Sequence, residues 1–153
     1  MRGHYGRAGR RVAYLHATAP AAGKPDAVTD VYVFGNPDLA ADALPLKLLP
    51  ALRAAFPDVA FRVVDPNEEW KIPAHLVVLD TVVGITAVTV FSDLAAFNRT
   101  PRVTLHDFDA LANLRLLQKL GKLRRVTVVG VPPTIAEGHA LQQITSALRS
   151  SLP

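Results

Sequence analysis

The sequence has no cysteine, and its only methionine is Met1. Without cysteine the chain cannot form disulfides or thiolate metal sites, and it cannot use a cysteine nucleophile. No apolar run approaches the roughly 18 residues that a membrane-spanning helix requires, so we expect no membrane partner. The GxGxxG, P-loop, nucleophile-elbow and HExxH motifs are also absent. Nucleotide binding, triad hydrolysis and thermolysin-type chemistry therefore have no support from the sequence.

The net charge of +4 comes entirely from one end of the chain. Residues 1–27 hold five basic residues and one acidic residue, which leaves equal numbers of basic and acidic residues in the rest of the chain. A domain without net charge lacks the excess of positive charge that attracts a polyanion such as nucleic acid. We therefore predict that nucleic acid is not a partner.

The first 27 residues are rich in glycine, alanine and arginine and have little periodic apolar content, so we expect them to be mostly disordered. Their apolar core is too short and too interrupted for a signal peptide, and we expect a cytoplasmic protein. We predict a single domain over residues 28–153, preceded by the basic leader 1–27. A later translation start would need a non-methionine codon, with Val28 and Val31 as the candidates.

Strand-like and helix-like segments alternate from Asp30 onward. Periodicity predicts strands at residues 31–35, 60–64, 75–80, 86–91, 102–105 and 125–131. It predicts helices at residues 42–56, 109–121 and 135–152. Pro50 should kink or split the first helix, and Gly121 should end the second. This alternation predicts an α/β fold, a three-layer α/β/α sandwich around a mostly parallel central sheet, with strand 75–80 in the middle and 86–91 nearer an edge.

Polar side chains occur where several predicted strands end. Asp80 ends the most buried strand, His106 follows strand 102–105, and Asp42 closes the loop after the first strand, while Asp65 follows the second. Ligands bind beyond the carboxyl ends of parallel strands in such sheets. Two carboxylates and an imidazole suit a divalent ion such as nickel or zinc.

A structural interpretation of the same residues is equally open from the pattern alone. Asp42 could cap the following helix, Asp80 could accept backbone N–H groups in its turn, and His106 could be a hydrogen-bonded histidine at a helix entry. Two other histidines are weaker candidates. His75 begins a buried strand and is expected to be structural, and His139 is expected to face solvent.

Four blocks of sequence resemble the hydrogenase maturation proteases, particularly the archaeal branch. In chain order they are "VFGNPDLAADALPLKLLPALRAAFP", "LVVLDTVVGI", "VTLHDFDALANLRLLQKLGK" and "VTVVGVPP". The resemblance extends over about residues 30–152. The ordered set of four is more specific than any single block.

The resemblance implies a function and a site. Members of this family are endopeptidases that remove a C-terminal extension from the large subunit of nickel-iron hydrogenase after nickel insertion. The family pattern has a carboxylate seven residues after the glycine of Gly-Asn, which matches Asp42 here. Its second acid, followed shortly by a glycine, matches Asp80 and Gly84, and its histidine matches His106.

The resemblance also implies the source of the metal and the partner. These three side chains are taken to bind nickel already held by the precursor, so no permanently bound cofactor is expected. The partner is the hydrogenase large-subunit precursor, bound transiently by a monomer. Asp107 would then orient the ring of His106, and Asp109 would cap the following helix.

Two positions depart from the family pattern. Ala41 stands where an acid is usual, and Asp38 stands where an apolar residue is usual. Two rival functions therefore remain. One is a non-catalytic binding module or chaperone for a metal-loaded subunit. The other is an unrelated α/β hydrolase with its own tightly bound divalent ion.

Overall fold

A computed structural model of the chain describes residues 29–65, 68–97 and 114–153. Its elements are β1 (Thr29–Val33), α1 (Leu44–Lys47), α2 (Leu49–Ala55), β2 (Val59–Val63), β3 (His75–Thr81), β4 (Thr89–Phe91), α3 (Leu94–Phe97), α4 (described over residues 114–119), β5 (Arg125–Val131) and α5 (Glu137–Ser151). The predicted leader 1–27, the predicted strand 102–105 and the start of the helix predicted from Asp109 lie outside the described residues.

The five described strands form one sheet in the order β2-β1-β3-β5-β4. The pairs β1–β2, β1–β3 and β3–β5 are parallel, and β4 runs antiparallel to β5 at the end of this order. The strand β3 is buried almost along its whole length because it has a parallel neighbour on each side. The predictions of a mostly parallel sheet, a central β3 and a β4 nearer the edge are confirmed.

The alternation of side chains along the strands divides the core into two layers. Odd-numbered residues of the parallel strands pack against α1, α2 and α5; these are Val31, Val33, Phe61, Val77, Leu79, Val129 and Val131. Even-numbered residues of the parallel strands point to the opposite face and pack with Leu94 of α3 and Leu114 of α4; these are Tyr32, Leu76, Val78, Val126 and Val128, joined by Phe34 after β1 and by Phe91 of the antiparallel β4. Helices on both faces give the predicted three layers.

The predicted helix at 42–56 is split in two, as Pro50 suggested. α1 ends at Lys47 and α2 begins at Leu49, with Leu48 between them. Pro50 lies in the first turn of α2, where its missing N–H is not needed. Pro45 occupies the equivalent place in α1. The helix α4 ends at residue 119, and Gly121 follows it as predicted.

Four predicted strands had boundaries that were wrong by one to three residues, and one of them is β2, which covers residues 59–63 instead of 60–64. β1 covers residues 29–33 instead of 31–35, although the Phe34 N–H still donates to the Leu79 carbonyl at 3.0 Å. β4 is limited to 89–91 instead of 86–91, and the last residue of β3 is Thr81, one beyond Asp80. Strand ends are decided by pairing with neighbours, which a local apolar pattern does not contain.

Truncating Leu52 should destabilise the protein. Leu52 is fully buried between α2 and the sheet, so Leu52→Ala should lower the free energy of unfolding by about 2–5 kcal/mol. Leu39→Ala is the matched control, because Leu39 is 46% exposed and should change stability by less than about 0.5 kcal/mol. Urea unfolding followed by circular dichroism measures both. Equal losses in the two variants would contradict this account of the core.

Within the described residues, no helix combines the length and apolar character that a transmembrane span needs.

Candidate active site

Asp42 is held by two turns at the carboxyl edge, the side of the sheet where the parallel strands end. In the loop after β1, Asn36 Oδ1 accepts the Asp38 N–H at 2.9 Å, and the Asp42 N–H donates to the Leu39 carbonyl at 2.8 Å. The Asp42 carbonyl oxygen lies 2.8 Å from the position that a Cβ on Gly35 would occupy. Only glycine at position 35 allows the Asp42 backbone to come this close. The contact places Asp42, which is 2% exposed, against the end of β1.

Asp80 reaches the same edge from the central strand. It is 6% exposed, and its Oδ1 accepts the N–H of Thr81 at 2.8 Å. Its neighbour on β5 is Gly130, which has no side chain, and on the other side the register places Phe34 beside it. Val82 and Phe91 fill the space that a side chain on Gly130 would occupy, so Asp80 projects from the sheet among aromatic and apolar side chains.

The backbone of Asp42 and the side chain of Asp80 lie toward opposite faces of the sheet. Gly35 continues the odd-numbered face of β1, toward α1, and Asp42 lies over it. Asp80 continues the even-numbered face of β3, toward α3 and α4. Because adjacent strands are about 4.8 Å apart, the backbones of Asp42 and Asp80 lie within roughly 10 Å of each other. The structure thus brings two of the three predicted site residues to one edge.

The third predicted residue, His106, lies outside the described residues, as do Asp107 and Asp109. The described ends of the connection that contains them, Leu94 in α3 and Leu114 in α4, both pack on the face of the sheet from which Asp80 projects. Within the described residues, no group of three or more His, Asp or Glu side chains could hold a metal ion. The complete ligand set therefore stays a prediction.

The structural alternatives for the two acids have different outcomes. The residue at the N-cap position of α1 is Ala43, which has no side-chain cap bond, and the capping role suggested for Asp42 stays a prediction. Asp80 does accept a backbone N–H, that of Thr81, so the structural role suggested for it is confirmed. The backbone turns at Gly84, whose φ of +93° favours glycine. This turn explains why a glycine follows Asp80 at a short distance in the sequence.

The remaining candidates are not part of this pair. The carbonyl of Asp65 accepts the Trp70 Nε1–H at 2.7 Å and the Glu68 N–H at 3.1 Å, so its backbone organises the loop after β2. His139 is exposed, as predicted. His75 begins β3 at the opposite edge of the sheet, with its Nε2 3.2 Å from Thr127 Oγ1.

The two departures from the family pattern lie on the surface. Ala41 and Asp38 are both exposed, and they belong to the loop that carries the buried Asp42. Substitution at either position therefore changes the exposed surface of the loop and leaves the contact between Asp42 and Gly35 unchanged. Sequence reasoning missed Phe34 and Gly130, the residues beside Asp80. Only the strand register identifies them, because they are distant in sequence.

No protein-family model and no curated protein matches the sequence. Solved structures do match. The hydrogenase maturating endopeptidase HybD from E. coli aligns with a TM-score of 0.59 and 20% identity over 81% of this chain and 94% of that one. An endopeptidase from Escherichia coli aligns with a TM-score of 0.55 and 22% identity over 81% of this chain and 94% of that one. The Hydrogenase 3 maturation protease aligns with a TM-score of 0.51 and 19% identity over 78% of this chain and 88% of that one. The fold implied by the resemblance is confirmed: this chain has the fold of the hydrogenase maturation endopeptidases.

Proposed function

We propose that this protein is an endopeptidase that removes the C-terminal extension of a nickel-iron hydrogenase large-subunit precursor after nickel insertion. One observation carries the proposal. In a chain with the fold of these endopeptidases, two buried carboxylates, Asp42 and Asp80, lie at the carboxyl edge of the sheet. This is where ligands bind in open α/β sheets. The membership of the archaeal branch stays a prediction.

Nickel enters this proposal as part of the substrate. Buried carboxylates favour a cation, because burial strengthens their electrostatic attraction for it. Asp42 and Asp80 would each offer an oxygen to nickel held by the precursor, and His106 is the expected third ligand. A precursor without nickel would leave these groups nothing to bind, so its scissile bond would not be positioned. The protein needs no cofactor of its own under this proposal.

The hydrolysis needs a water and a base. A water polarised by the precursor's nickel would add to the scissile carbonyl carbon while one of the two aspartates takes its proton. The same carboxyl group then returns the proton to the leaving amine as the C–N bond breaks. The products are a new C-terminal carboxylate on the large subunit and a free peptide. By family resemblance the cut falls just after the C-terminal metal-binding motif of the precursor, following a histidine or arginine.

The first test is the intact mass of the precursor. A nickel-iron hydrogenase large-subunit precursor is incubated with the full chain, with and without nickel, and its mass is then measured by mass spectrometry. We expect loss of a C-terminal peptide only when nickel is present, and no loss with the His106→Ala variant. Nickel content of the precursor is verified in each sample.

Two results would contradict the proposal. Binding of the nickel-loaded precursor without cleavage would indicate the non-catalytic binding module. Tight binding of a divalent ion by the isolated protein would indicate a hydrolase with its own metal, because a site completed by the precursor should bind free metal weakly. We propose a cytoplasmic location and a monomer that binds the precursor transiently.

A further inference from the structure

The hydroxyl group of Thr81 is buried without a hydrogen-bond partner. Thr81 is the last residue of β3 and is 0% exposed, and its Oγ1 bonds to no other group among the described residues. A buried hydroxyl that leaves water and gains no hydrogen bond destabilises the folded state. Thr127, the other buried threonine of the described residues, does have a partner, because its Oγ1 lies 3.2 Å from His75 Nε2. The Thr81 hydroxyl therefore needs an explanation that the fold alone does not supply.

The Thr81 side chain lies on the odd-numbered face of β3, the face that α1 and α5 cover. On the β5 side its partner in the register is Val131, an apolar side chain of the core. On the β1 side the Phe34 N–H bonds to the Leu79 carbonyl, which continues the register of β1 and β3 past the end of β1. This register places Gly35 beside Thr81. Because glycine has no side chain, the nearest group on that side of Thr81 is whatever lies over Gly35.

Asp42 is the residue that lies over Gly35. Its carbonyl oxygen is 2.8 Å from the position that a Cβ on Gly35 would occupy, and the other group found there is the apolar side chain of Leu46. Neighbouring parallel strands are about 4.8 Å apart, so the backbone of Asp42 lies within roughly 8 Å of the Thr81 side chain. Both residues are buried, so bulk water does not compete for a hydrogen bond between them. Asp42 is therefore an acidic residue on the face to which the Thr81 hydroxyl points.

Thr81 also contacts the second acid of the site. Its backbone N–H donates to Asp80 Oδ1 at 2.8 Å. The Asp80 side chain lies on the even-numbered face, because alternate residues of a strand point to opposite faces. One residue thus offers its N–H to the acid on one face and its hydroxyl toward the acid on the other.

We propose that Thr81 is a positioning residue whose hydroxyl donates a hydrogen bond to the Asp42 carboxylate when the precursor binds. The inference rests on the proposed function, because it assigns Thr81 a role in the same reaction. Asp42 is buried, so its carboxylate has to turn to meet the precursor's nickel. A hydrogen bond to one oxygen of a metal-binding carboxylate fixes the direction of the other oxygen. This bond is charge-assisted, so it compensates the buried hydroxyl in the complex.

Thr81→Val should separate stability from cleavage. Valine keeps the branched shape and removes a hydroxyl that has no partner, so we expect the melting temperature to rise by about 2–6 °C. The same change removes the donor to Asp42, so kcat for the nickel-loaded precursor should fall about tenfold, the effect of one hydrogen bond. Melting of the full chain is followed by circular dichroism, and cleavage is followed by the intact mass of the precursor over time.

Thr81→Ser tests the hydroxyl by rescue. Serine keeps the hydroxyl and loses a buried methyl group, so this variant should melt at a lower temperature than the unaltered protein. Its kcat should nevertheless stay within about threefold of the unaltered rate, because the donor to Asp42 is retained. The most stable of the three proteins would then be the slowest. A merely structural role of Thr81 would make cleavage follow stability instead.

Thr127→Val is the matched control at the opposite end of the sheet. It removes a buried hydroxyl that does have a partner, so this variant should melt at a lower temperature. Thr127 is remote from the two aspartates, and its replacement should leave kcat within about twofold. The two valine variants therefore have opposite expected effects on stability and different expected effects on cleavage.

Three results would overturn the inference. A lower melting temperature of Thr81→Val would show that the hydroxyl stabilises the fold by itself. Cleavage by Thr81→Val at the unaltered rate would show that the reaction does not use the hydroxyl. Slow cleavage by Thr81→Ser would show that the shape of the side chain matters instead. Failure of the proposed function is a different result, since the unaltered protein would then leave the nickel-loaded precursor intact, and this inference would fall with it.

Discussion

Asp80→Asn should lower the rate of precursor cleavage by about 10²-fold or more while the protein remains folded. Asparagine has the same shape and keeps an oxygen that can accept the Thr81 N–H, so the bond that orients the side chain survives. The amide has no negative charge with which to bind the precursor's nickel, and it cannot accept the proton of an attacking water. Rates are measured from the intact mass of the nickel-loaded precursor over time.

Asp38→Asn is the matched control for this experiment. Asp38 lies in the loop between Gly35 and Asp42, but its side chain is exposed. Its removal changes the charge of the loop without touching the buried pair, and cleavage should stay within about threefold. Comparable losses in both variants would show that loop charge matters more than the buried carboxylate. Unchanged cleavage by Asp80→Asn would limit Asp80 to the structural role of accepting the Thr81 N–H.

Gly35→Ala should damage both stability and cleavage. The new Cβ would lie 2.8 Å from the Asp42 carbonyl oxygen and 3.1 Å from Leu46 Cγ. A backbone oxygen cannot move aside as a flexible side chain can, so the loop that carries Asp42 must shift. We expect a loss of about 1–3 kcal/mol in the free energy of unfolding. Cleavage should fall about 10²-fold, because a displacement near 1 Å is enough to misplace a catalytic group.

Gly138→Ala is the matched control, for which we expect higher stability and unchanged cleavage. Gly138 lies in α5, and a Cβ there would meet no atom within 4 Å. Alanine is the better helix former, so this variant should gain up to about 1 kcal/mol and cleave normally. Denaturant unfolding of both variants checks the stability changes. A stable and fully active Gly35→Ala variant would show that Asp42 does not depend on close contact with β1.

Much of the fold could be predicted because its signals are local. The apolar runs that form β3 and β5, and the spacing that forms α5, are present within single segments. The division of the first helix at Pro50 was also predictable, since proline lacks the N–H that a continuous helix would use. The strand boundaries were predicted less well, because pairing with neighbours decides where a strand ends.

The candidate site was predictable in part for the same reason. Asp80 could be identified because it follows an apolar run, and the carboxyl ends of parallel strands share an edge. Asp42 was predicted as the residue that closes the loop after the first strand, with helix capping as its structural alternative. The structure adds what the pattern did not contain, the close contact between the Asp42 backbone and Gly35.

By itself, the sequence determined the α/β class, the central position of β3 and the presence of Asp80 at a strand end. These follow from side-chain periodicity and apolar content over a few residues. Only the tertiary structure decided that the backbone of Asp42 and the side chain of Asp80 lie at one edge toward opposite faces, and that His75 and Thr127 meet at the other. Both depend on strand order and register, which arise from contacts between segments tens of residues apart.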